Sequence, residues 1–370
     1  MNRRGVIYDT GIVWTGPGYK VPTRPKLDLS TAHRELQIIR DDLHCNAVRI
    51  AGDNHERVAA VAADALELGL EVWLSGGINN RPPDETMRSV TAIAELAEQL
   101  SHAHRGRVVL IVGSELMLLM QGIVPGDDIG QRVATAYGLL KAGDHSANDR
   151  LNDFLARAVQ SVRAIFHGPV TYAALMQLEH VDWGPFDIIG VDHYRDARIK
   201  DRYVDMLGPL LTQGKPVVVT EFGMRTYRGA ESEGGELGFG VADIKRVYLH
   251  QLPVIGHLFR ERLKGVYVRD EPMQARELAE TLAMLDTAGV DGAFVNEFVS
   301  ATFPVGDNPR YDLDMNAFGL VKTYRHGHGK TYPDMTWEPK QSFAAVAACY
   351  ASHQDTRNPG PMPPGPAGTT

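Results

Sequence analysis

The segment KPVVVTEFG, residues 215–223, is an uninterrupted run of β-branched residues that ends in Glu-Phe-Gly. Runs of this kind are typical of strands that are buried on both faces of a parallel sheet. The preceding segment DIIGVDHY, residues 187–194, has the same pattern and also ends in polar residues. The two segments together predict neighbouring parallel strands with polar side chains at their carboxyl ends.

Elsewhere in the chain, an amphipathic helix followed by a short apolar strand recurs. In one such unit we expect Ser30 or Thr31 to cap a helix, and residues 46–50 to form the strand that follows it. The closing helix is expected near residues 341–350. Neither GxGxxG nor GxxxxGK[ST] occurs, so the order of units favours a single closed (β/α)8 TIM barrel of the α/β class over an open doubly wound sheet. The eight predicted strands are residues 3–9, 46–50, 70–76, 107–116, 169–175, 187–194, 215–223 and 289–298.

Two long loops interrupt this pattern, at about residues 117–147 after strand four and about residues 224–272 after strand seven. Barrel active sites are built from such loops, and long ones wall the cleft, which favours a small or terminal substrate. We expect residues 1–353 to form one barrel domain. Residues 354–370 contain five prolines and three glycines in 17 positions, a composition that predicts a disordered tail.

Charge and composition exclude several classes of partner. The 370 residues include 38 Lys and Arg against 46 Asp and Glu, a net charge of -8, and no basic cluster stands out. Nucleic acid is therefore not an expected partner. No apolar run reaches about 18 residues, so we expect no contact with a membrane.

Compartment is predicted from the cysteines and the first residues. The only cysteines are Cys45 and Cys349, too few for a disulfide scaffold, and Cys45 lies in an apolar segment typical of a buried free thiol. The first residues lack the apolar region and the cleavage site of a secretory signal. We therefore expect a cytoplasmic protein.

Candidate functional residues are the polar ones at the carboxyl ends of the strands, because these face the mouth of a barrel. Glu115 follows strand four and Glu221 ends strand seven, and paired carboxylates across a pocket are typical of chemistry on glycosidic bonds. We expect substrate contacts from other strand ends and from two loop tryptophans, whose flat rings match sugar faces. The predicted substrate-binding residues are Arg49, Ser114, His193, Tyr194, Asn296, Glu297, Trp14 and Trp337.

The order of these elements resembles the large clan of retaining (β/α)8 glycoside hydrolases with catalytic glutamates on strands four and seven. The resemblance covers about residues 4–350. It is carried by VRI on strand two, the glutamate closing strand four, DIIGVDHY, VVVTEFG, and the ending FGLVK followed by KQSFAAVAACY.

The resemblance implies that Glu115 is the general acid/base and Glu221 the nucleophile, with Arg49 and Tyr194 keeping Glu221 ionised. A guanidinium would lower the pKa of Glu221, and the Glu221 anion would raise that of Glu115. Retention by double displacement requires the two carboxyl groups to lie about 5 to 5.5 Å apart.

The sequence departs from the clan at two positions. Ser114 stands where the clan usually has an asparagine before its acid/base glutamate. The end of strand eight offers Asn296, Glu297 and Phe298 where the clan often has a tryptophan.

Several of the candidate residues have a structural alternative. Glu115 could form a salt bridge to an Arg or Lys in its loop, and Arg49 could pair with Asp9 or with Glu221. His193 and Tyr194 could pack in the core. Glu297 is either a third pocket carboxylate or an anchor for a loop. Trp73 lies within a strand and is expected in the core.

Neither a metal nor a cofactor is expected. The histidines of YRHGHGK, residues 324–330, have no acidic or thiol third ligand nearby. Asp127 and Asp128 do not fit the twelve-residue calcium loop, and a solvated turn is the better interpretation.

The first functional hypothesis is a retaining glycosidase acting on a small-molecule or oligosaccharide substrate. An alternative keeps the barrel and uses its acid and base on a non-sugar substrate, as an isomerase, lyase or cyclase of specialised metabolism, which Ser114 supports. A third is a catalytically silent barrel that binds a ligand or partner, for example in phage defence.

Overall fold

The structure, a computed structural model, describes residues 1–16, 19–77, 79–233, 240–252 and 254–355. Eight parallel strands pair in sequence order into a closed barrel, and the first strand pairs with both the second and the eighth. The predicted single (β/α)8 barrel is therefore confirmed. Its strands are β1 Arg3–Asp9, β2 Ala47–Gly52, β3 Glu71–Gly76, β4 Val108–Ser114, β5 Val170–Leu175, β6 Ile189–Asp192, β7 Val217–Phe222 and β8 Gly292–Val295.

Helices follow the strands, and those outside the excursions described below cover the outside of the barrel. They are α1 Leu29–Asp41, α2 His55–Glu67, α3 Pro83–Ala103, α4 Leu116–Leu119, α5 Ile129–Ala142, α6 Ser146–Arg163, α7 Gly208–Leu211, α8 Ala230–Glu233, α9 Ile244–His250, α10 Glu271–Ala288 and α11 Gln341–Asp355.

The barrel interior is filled by side chains from alternate strand positions. Trp73 is fully buried there, as predicted, with its ring 5.0 Å from that of Phe294. Gly5 on β1 makes room for this pair, because a Cβ at that position would lie 2.3 Å from the Phe294 ring. The interior is therefore a packed core, which leaves the carboxyl ends of the strands as the place for a site.

Capping residues set the helix starts. Asp28 caps α1, since its carboxylate accepts a hydrogen bond from the Thr31 amide at 2.8 Å. Ser30 and Thr31, expected as caps, lie inside the first turn, so that prediction was wrong by two to three residues. Asp128 caps α5 in the same way through the Gln131 amide at 2.9 Å, which gives this residue a structural role.

Three excursions rise above the carboxyl end of the barrel. The two long predicted ones contain α4 and α5 after β4, and α8 and α9 after β7. The third, which the sequence did not indicate, is a β-hairpin after β1 that pairs Val13–Gly16 with Tyr19–Pro22. Helix α9 packs against the second strand of this hairpin, so the first and last excursions meet.

At the carboxyl end of the described chain, α11 continues through Asp355. The predicted disordered tail lies outside the described residues apart from its first two positions. Cys45 and Cys349 are both free, and Cys45 is buried, which raises the pKa of its thiol. In the part of the chain that the structure describes, helices long and apolar enough to cross a membrane are absent.

Candidate active site

A cavity of about 370 Å³ opens at the carboxyl ends of the strands. The strand ends form its floor, and the three excursions, the start of α3 and the loops after β8 form its walls. It gathers eight of the ten predicted site residues, namely Trp14, Arg49, Ser114, Glu115, Tyr194, Glu221, Asn296 and Glu297.

Glu221, near the end of β7, is held by hydrogen bonds at both carboxylate oxygens. Its Oε1 accepts from the Tyr194 hydroxyl at 2.6 Å and from Asn296 Nδ2 at 3.1 Å. Its Oε2 lies 3.4 Å from Nη1 of Arg49. Asn296 also donates to the Tyr194 hydroxyl, at 2.6 Å. The side chain keeps 22% of its surface exposed, so a ligand atom can reach the carboxylate.

Arg49, on β2, is buried and connects several strand ends. Its Nη1 donates to the Thr220 carbonyl at 3.0 Å and lies 3.2 Å from Oδ1 of Asp192. Its Nη2 donates to the Ser114 hydroxyl at 3.0 Å. Of the two partners considered for Arg49 from the sequence, the structure thus pairs it with Glu221. Arg49 thus contacts the candidate nucleophile Glu221 and also links the ends of neighbouring strands.

Asp192, the last residue of β6, is a member of this network that the list of predicted site residues omitted. Its side chain is fully buried. Oδ1 accepts from the Thr220 hydroxyl at 2.7 Å, and Oδ2 accepts from the Ser114 hydroxyl at 2.8 Å. Ser114 therefore accepts from Arg49 and donates to Asp192, which engages its hydroxyl inside the protein.

The pKa of Glu221 is raised, contrary to the expectation that its neighbours would lower it. Burial, followed by the nearby Asp192 carboxylate, raises the pKa of Glu221 to about 7. Arg49 and the Tyr194 hydroxyl act in the expected direction and lower it, but they do not outweigh the first two effects.

Glu115 lines the cavity directly after β4 and adopts a left-handed backbone conformation, φ 48° and ψ 39°. This conformation costs a residue with a side chain about 1 kcal/mol, so neighbouring contacts must hold it. The Glu115 amide donates to the Ala173 carbonyl of β5 at 2.9 Å.

Helix α4, which Glu115 precedes, is fixed to β5 and the turn after it. The Leu116 amide donates to the Tyr172 hydroxyl at 2.7 Å, and the Met117 amide donates to Oε1 of Glu179 at 2.8 Å. Burial raises the pKa of Glu179 to about 7. These contacts place the Glu115 backbone beside the floor of the cavity.

A second group of carboxyls lies at the ends of β1 and β8. Glu297 accepts a hydrogen bond from the Ser300 hydroxyl and lines the cavity, so it is both a pocket carboxylate and an anchor for its loop. Burial, the Asp9 carboxylate and, more weakly, Glu221 raise the pKa of Glu297 to about 8. Burial also raises the pKa of Asp9, which lines the same cavity.

His193 and Trp337 do not reach the cavity, which corrects their assignment as substrate-binding residues. The His193 ring is buried and stacks on Tyr203 with ring centres 4.0 Å apart, and burial lowers its pKa to about 4. Trp337 is also buried, and its indole N–H donates to Oε1 of Glu35 on α1 at 2.8 Å. Both rings are core residues.

Metal ligands do not converge in the described part of the chain. His326 and His328 are exposed, and a group of three His, Cys, Asp or Glu side chains placed to hold a metal ion is not found among the described residues.

Comparison with solved structures shows that the fold is similar to those of several glycoside hydrolases. A GH113 β-1,4-mannanase superposes with a TM-score of 0.58 at 14% identity, covering 95% of this chain and 99% of its own. The GH113 β-mannanase from Alicyclobacillus acidocaldarius gives 0.54 at 14% identity, covering 95% and 97%. The β-glucuronidase from Ruminococcus gnavus gives 0.54 at 12% identity, covering 95% of this chain and 50% of its own.

The chain has the barrel fold of these glycoside hydrolases. The resemblance inferred from the sequence is confirmed at the level of the fold. Family models do not match the sequence, and a significant match among curated proteins was not found.

Proposed function

We propose that the protein is a retaining glycosidase in which Glu221 is the nucleophile and Glu115 the general acid/base. The observation that carries this proposal is the set of hydrogen bonds to Glu221. Tyr194 and Asn296 fix one carboxylate oxygen, and Arg49 lies beside the other, at the edge of a cavity that Glu115 also lines. A carboxylate oriented in this way is prepared to attack a carbon atom held in the cavity.

The reaction has two steps. Glu221 attacks the anomeric carbon while the bond to the leaving oxygen breaks and Glu115 gives that oxygen its proton. Glu115 then takes a proton from water, the water oxygen attacks the same carbon, and the bond to Glu221 breaks. The net change is addition of water across one C–O bond, and both glutamates return to their starting states. The residues named need no metal or cofactor for these steps.

The ionisation of Glu221 sets the pH at which the first step works. The nucleophile must be deprotonated, and its pKa is about 7 in the empty site. We therefore expect the rate with subsaturating substrate to rise as the pH increases through about 7 and to fall at higher pH as the acid/base loses its proton.

A second candidate function is favoured by Ser114. Its hydroxyl is engaged by Arg49 and Asp192, and a serine is shorter than the asparagine usual in the clan, so the contact with a sugar 2-hydroxyl is not provided in the same way. An isomerase, lyase or cyclase acting on a non-sugar substrate would use the same acid and base.

The deciding experiment is to trap the intermediate. The protein is incubated with 2-deoxy-2-fluoro glycosides that carry good leaving groups, and the labelled peptide is identified by mass spectrometry. We expect a covalent sugar on Glu221 in the wild type and none in Glu221→Gln. A label on another carboxylate would reassign the nucleophile.

A panel of aryl glycosides accompanies the trapping experiment. Turnover without inversion of the anomeric carbon, followed by NMR, supports the proposal. Lack of both label and turnover across sugars would favour the non-hydrolytic or the silent barrel.

Cytoplasmic location stays a prediction, based on the two free cysteines.

A further inference from the structure

The loops around the cavity present apolar side chains to it, in contrast to the floor. Three separate excursions contribute, and the residues concerned are half-buried and line the cavity. We call this set the apolar wall. It consists of Ile12, Trp14, Val21, Leu119, Ile129 and Ile244.

Polar residues next to the apolar wall use their hydrogen bonds to hold the loops. The Asn79 side chain donates to the Val13 carbonyl at 2.9 Å and accepts from the Thr15 amide at 3.2 Å. The Thr23 hydroxyl donates to the Ile12 carbonyl at 3.2 Å. These groups line the cavity, and their hydrogen bonds to the hairpin stabilise it.

A saccharide unit would be poorly matched by such a surface. Its hydroxyl groups lose water on binding and need partners in return, and branched aliphatic side chains supply none. An apolar ring system has the opposite requirement, because its transfer from water to the wall is favourable in proportion to the area removed from solvent. Five of the six wall residues are aliphatic, and Trp14 adds one flat ring.

The cavity is thus divided into two parts of different chemistry. The polar floor contains Glu115, Glu221 and Arg49 for the reacting, hydrogen-bonding part of a ligand. The wall lies beyond it, on the solvent side of the strand ends. The volume of about 370 Å³ is within the range of about 300–1,000 Å³ that drug-sized ligands occupy.

We propose that the apolar wall binds an apolar ring system of the ligand. If the protein is a glycosidase as proposed above, on which this step rests, the apolar ring system is the aglycone of the substrate. The substrate is then a glycoside of an apolar alcohol or phenol. Hydrolysis then leaves the sugar on the floor and releases the aglycone with the proton from Glu115 on its oxygen.

The test measures binding without turnover, so that it does not depend on the reaction. Glu221→Gln protein is titrated by calorimetry with 4-methylumbelliferone alone and, separately, with mannotriose and cellotriose, at several temperatures. We expect saturable binding of 4-methylumbelliferone with a negative heat-capacity change, the mark of apolar burial, and weaker binding of both trisaccharides.

Matched variants locate the binding. Leu119→Asn keeps the approximate size of a wall side chain and makes it polar, and we expect at least a tenfold loss of affinity for 4-methylumbelliferone. Ile129→Asn repeats the change on another element, in case the first variant is destabilised. Leu140→Asn is the control, because Leu140 is an exposed leucine of α5 outside the cavity lining. The affinity of this variant for 4-methylumbelliferone should equal that of the parent protein.

Equal affinity in Leu119→Asn, Ile129→Asn and the control would overturn the proposal, as would tighter binding of the trisaccharides than of 4-methylumbelliferone. Failure of the glycosidase proposal gives a different result. In that case 4-methylumbelliferone still binds and the wall variants still weaken it, but the wild type hydrolyses no aryl glycoside, so the apolar ligand class stands without the reaction.

Discussion

Glu221 and Glu297 share one cavity but lie in different surroundings. At the ends of β6 and β7, Glu221 has two hydrogen-bond donors on one oxygen and a guanidinium near the other. At the ends of β1 and β8, Glu297 faces Asp9 and accepts a hydrogen bond from Ser300. The pKa is about 7 for the first and about 8 for the second. Burial is the largest cause of the raised pKa in both residues; Arg49 and the Tyr194 hydroxyl offset part of it for Glu221, and the Ser300 hydroxyl offsets part of it for Glu297.

The strongest test of this comparison replaces each glutamate in turn. Glu221→Gln removes the proposed nucleophile while keeping its size, and we expect turnover to fall by about 10,000-fold or more. Glu297→Gln should cost less than about tenfold, because a protonated carboxyl and an amide are similar in shape and charge. Steady-state rates with an aryl glycoside measure both effects. Equal losses of turnover in the two variants would contradict the different roles given to Glu221 and Glu297.

Glu115 extends the comparison to the acid/base. Glu115→Gln is expected to lower turnover by about 100- to 10,000-fold, the usual contribution of a general acid or base. The loss should be smaller for glycosides with a nitrophenolate leaving group, which departs without a proton. A loss independent of leaving group would argue that Glu115 has a structural role only.

The charge of Asp192 offers a finer test. Asp192 raises the pKa of Glu221, so Asp192→Asn should lower it and let Arg49 act on Glu221 alone. The rising limb of the pH–rate profile is then expected about one pH unit lower than in the wild type. Thr220→Val is the matched control, since it removes a hydrogen bond to Asp192 but no charge. An unmoved limb in Asp192→Asn would mean that Glu221 does not govern it.

The smallest expected effect is on stability. The folded-state pKa of Glu297 lies above its ordinary value of 4.5, so the folded protein holds this proton more tightly than the unfolded chain. The stability it contributes is complete below about pH 4.5 and is lost as the pH rises through about 8.

Glu297→Gln should therefore lose less thermal stability than the wild type between pH 6 and pH 9, by about 1–3 °C in Tm. Glu95→Gln, at an exposed position of α3, is the control and should follow the wild type. A decline in Glu297→Gln identical to that of the control would contradict the raised pKa.

The fold was predictable because its information is local. Apolar runs such as residues 217–220 require burial on both faces, and eight of them in order leave few architectures. The same rule located Glu115, Glu221 and Tyr194, since the ends of parallel strands meet at one edge of the barrel. The positions of these three in one cavity follow from the topology alone.

Long-range partners account for what the sequence did not reveal. His193 stacks on Tyr203, which lies in a loop whose path the sequence does not predict. Trp337 donates a hydrogen bond to Glu35, which is distant in the chain. Asp192 is a neighbour of Tyr194 in sequence, but its part in the site depends on Arg49 and Ser114, which come from other strands. Net pKa values also depend on burial, which a strand pattern does not give.

The attachment of α4 to β5 suggests a route for engineering. The Glu115 amide donates to the Ala173 carbonyl, and the next two amides of the chain donate to Tyr172 and Glu179, all in or next to β5. The mostly exposed segment 138–145, from the end of α5 to the start of α6, is in this sense replaceable, whereas Arg132 of α5 must stay because its guanidinium donates to the Leu118 carbonyl of α4. Libraries that shorten or exchange segment 138–145 would reshape the outer edge of the excursion after β4 while the Glu115 backbone stays where it is.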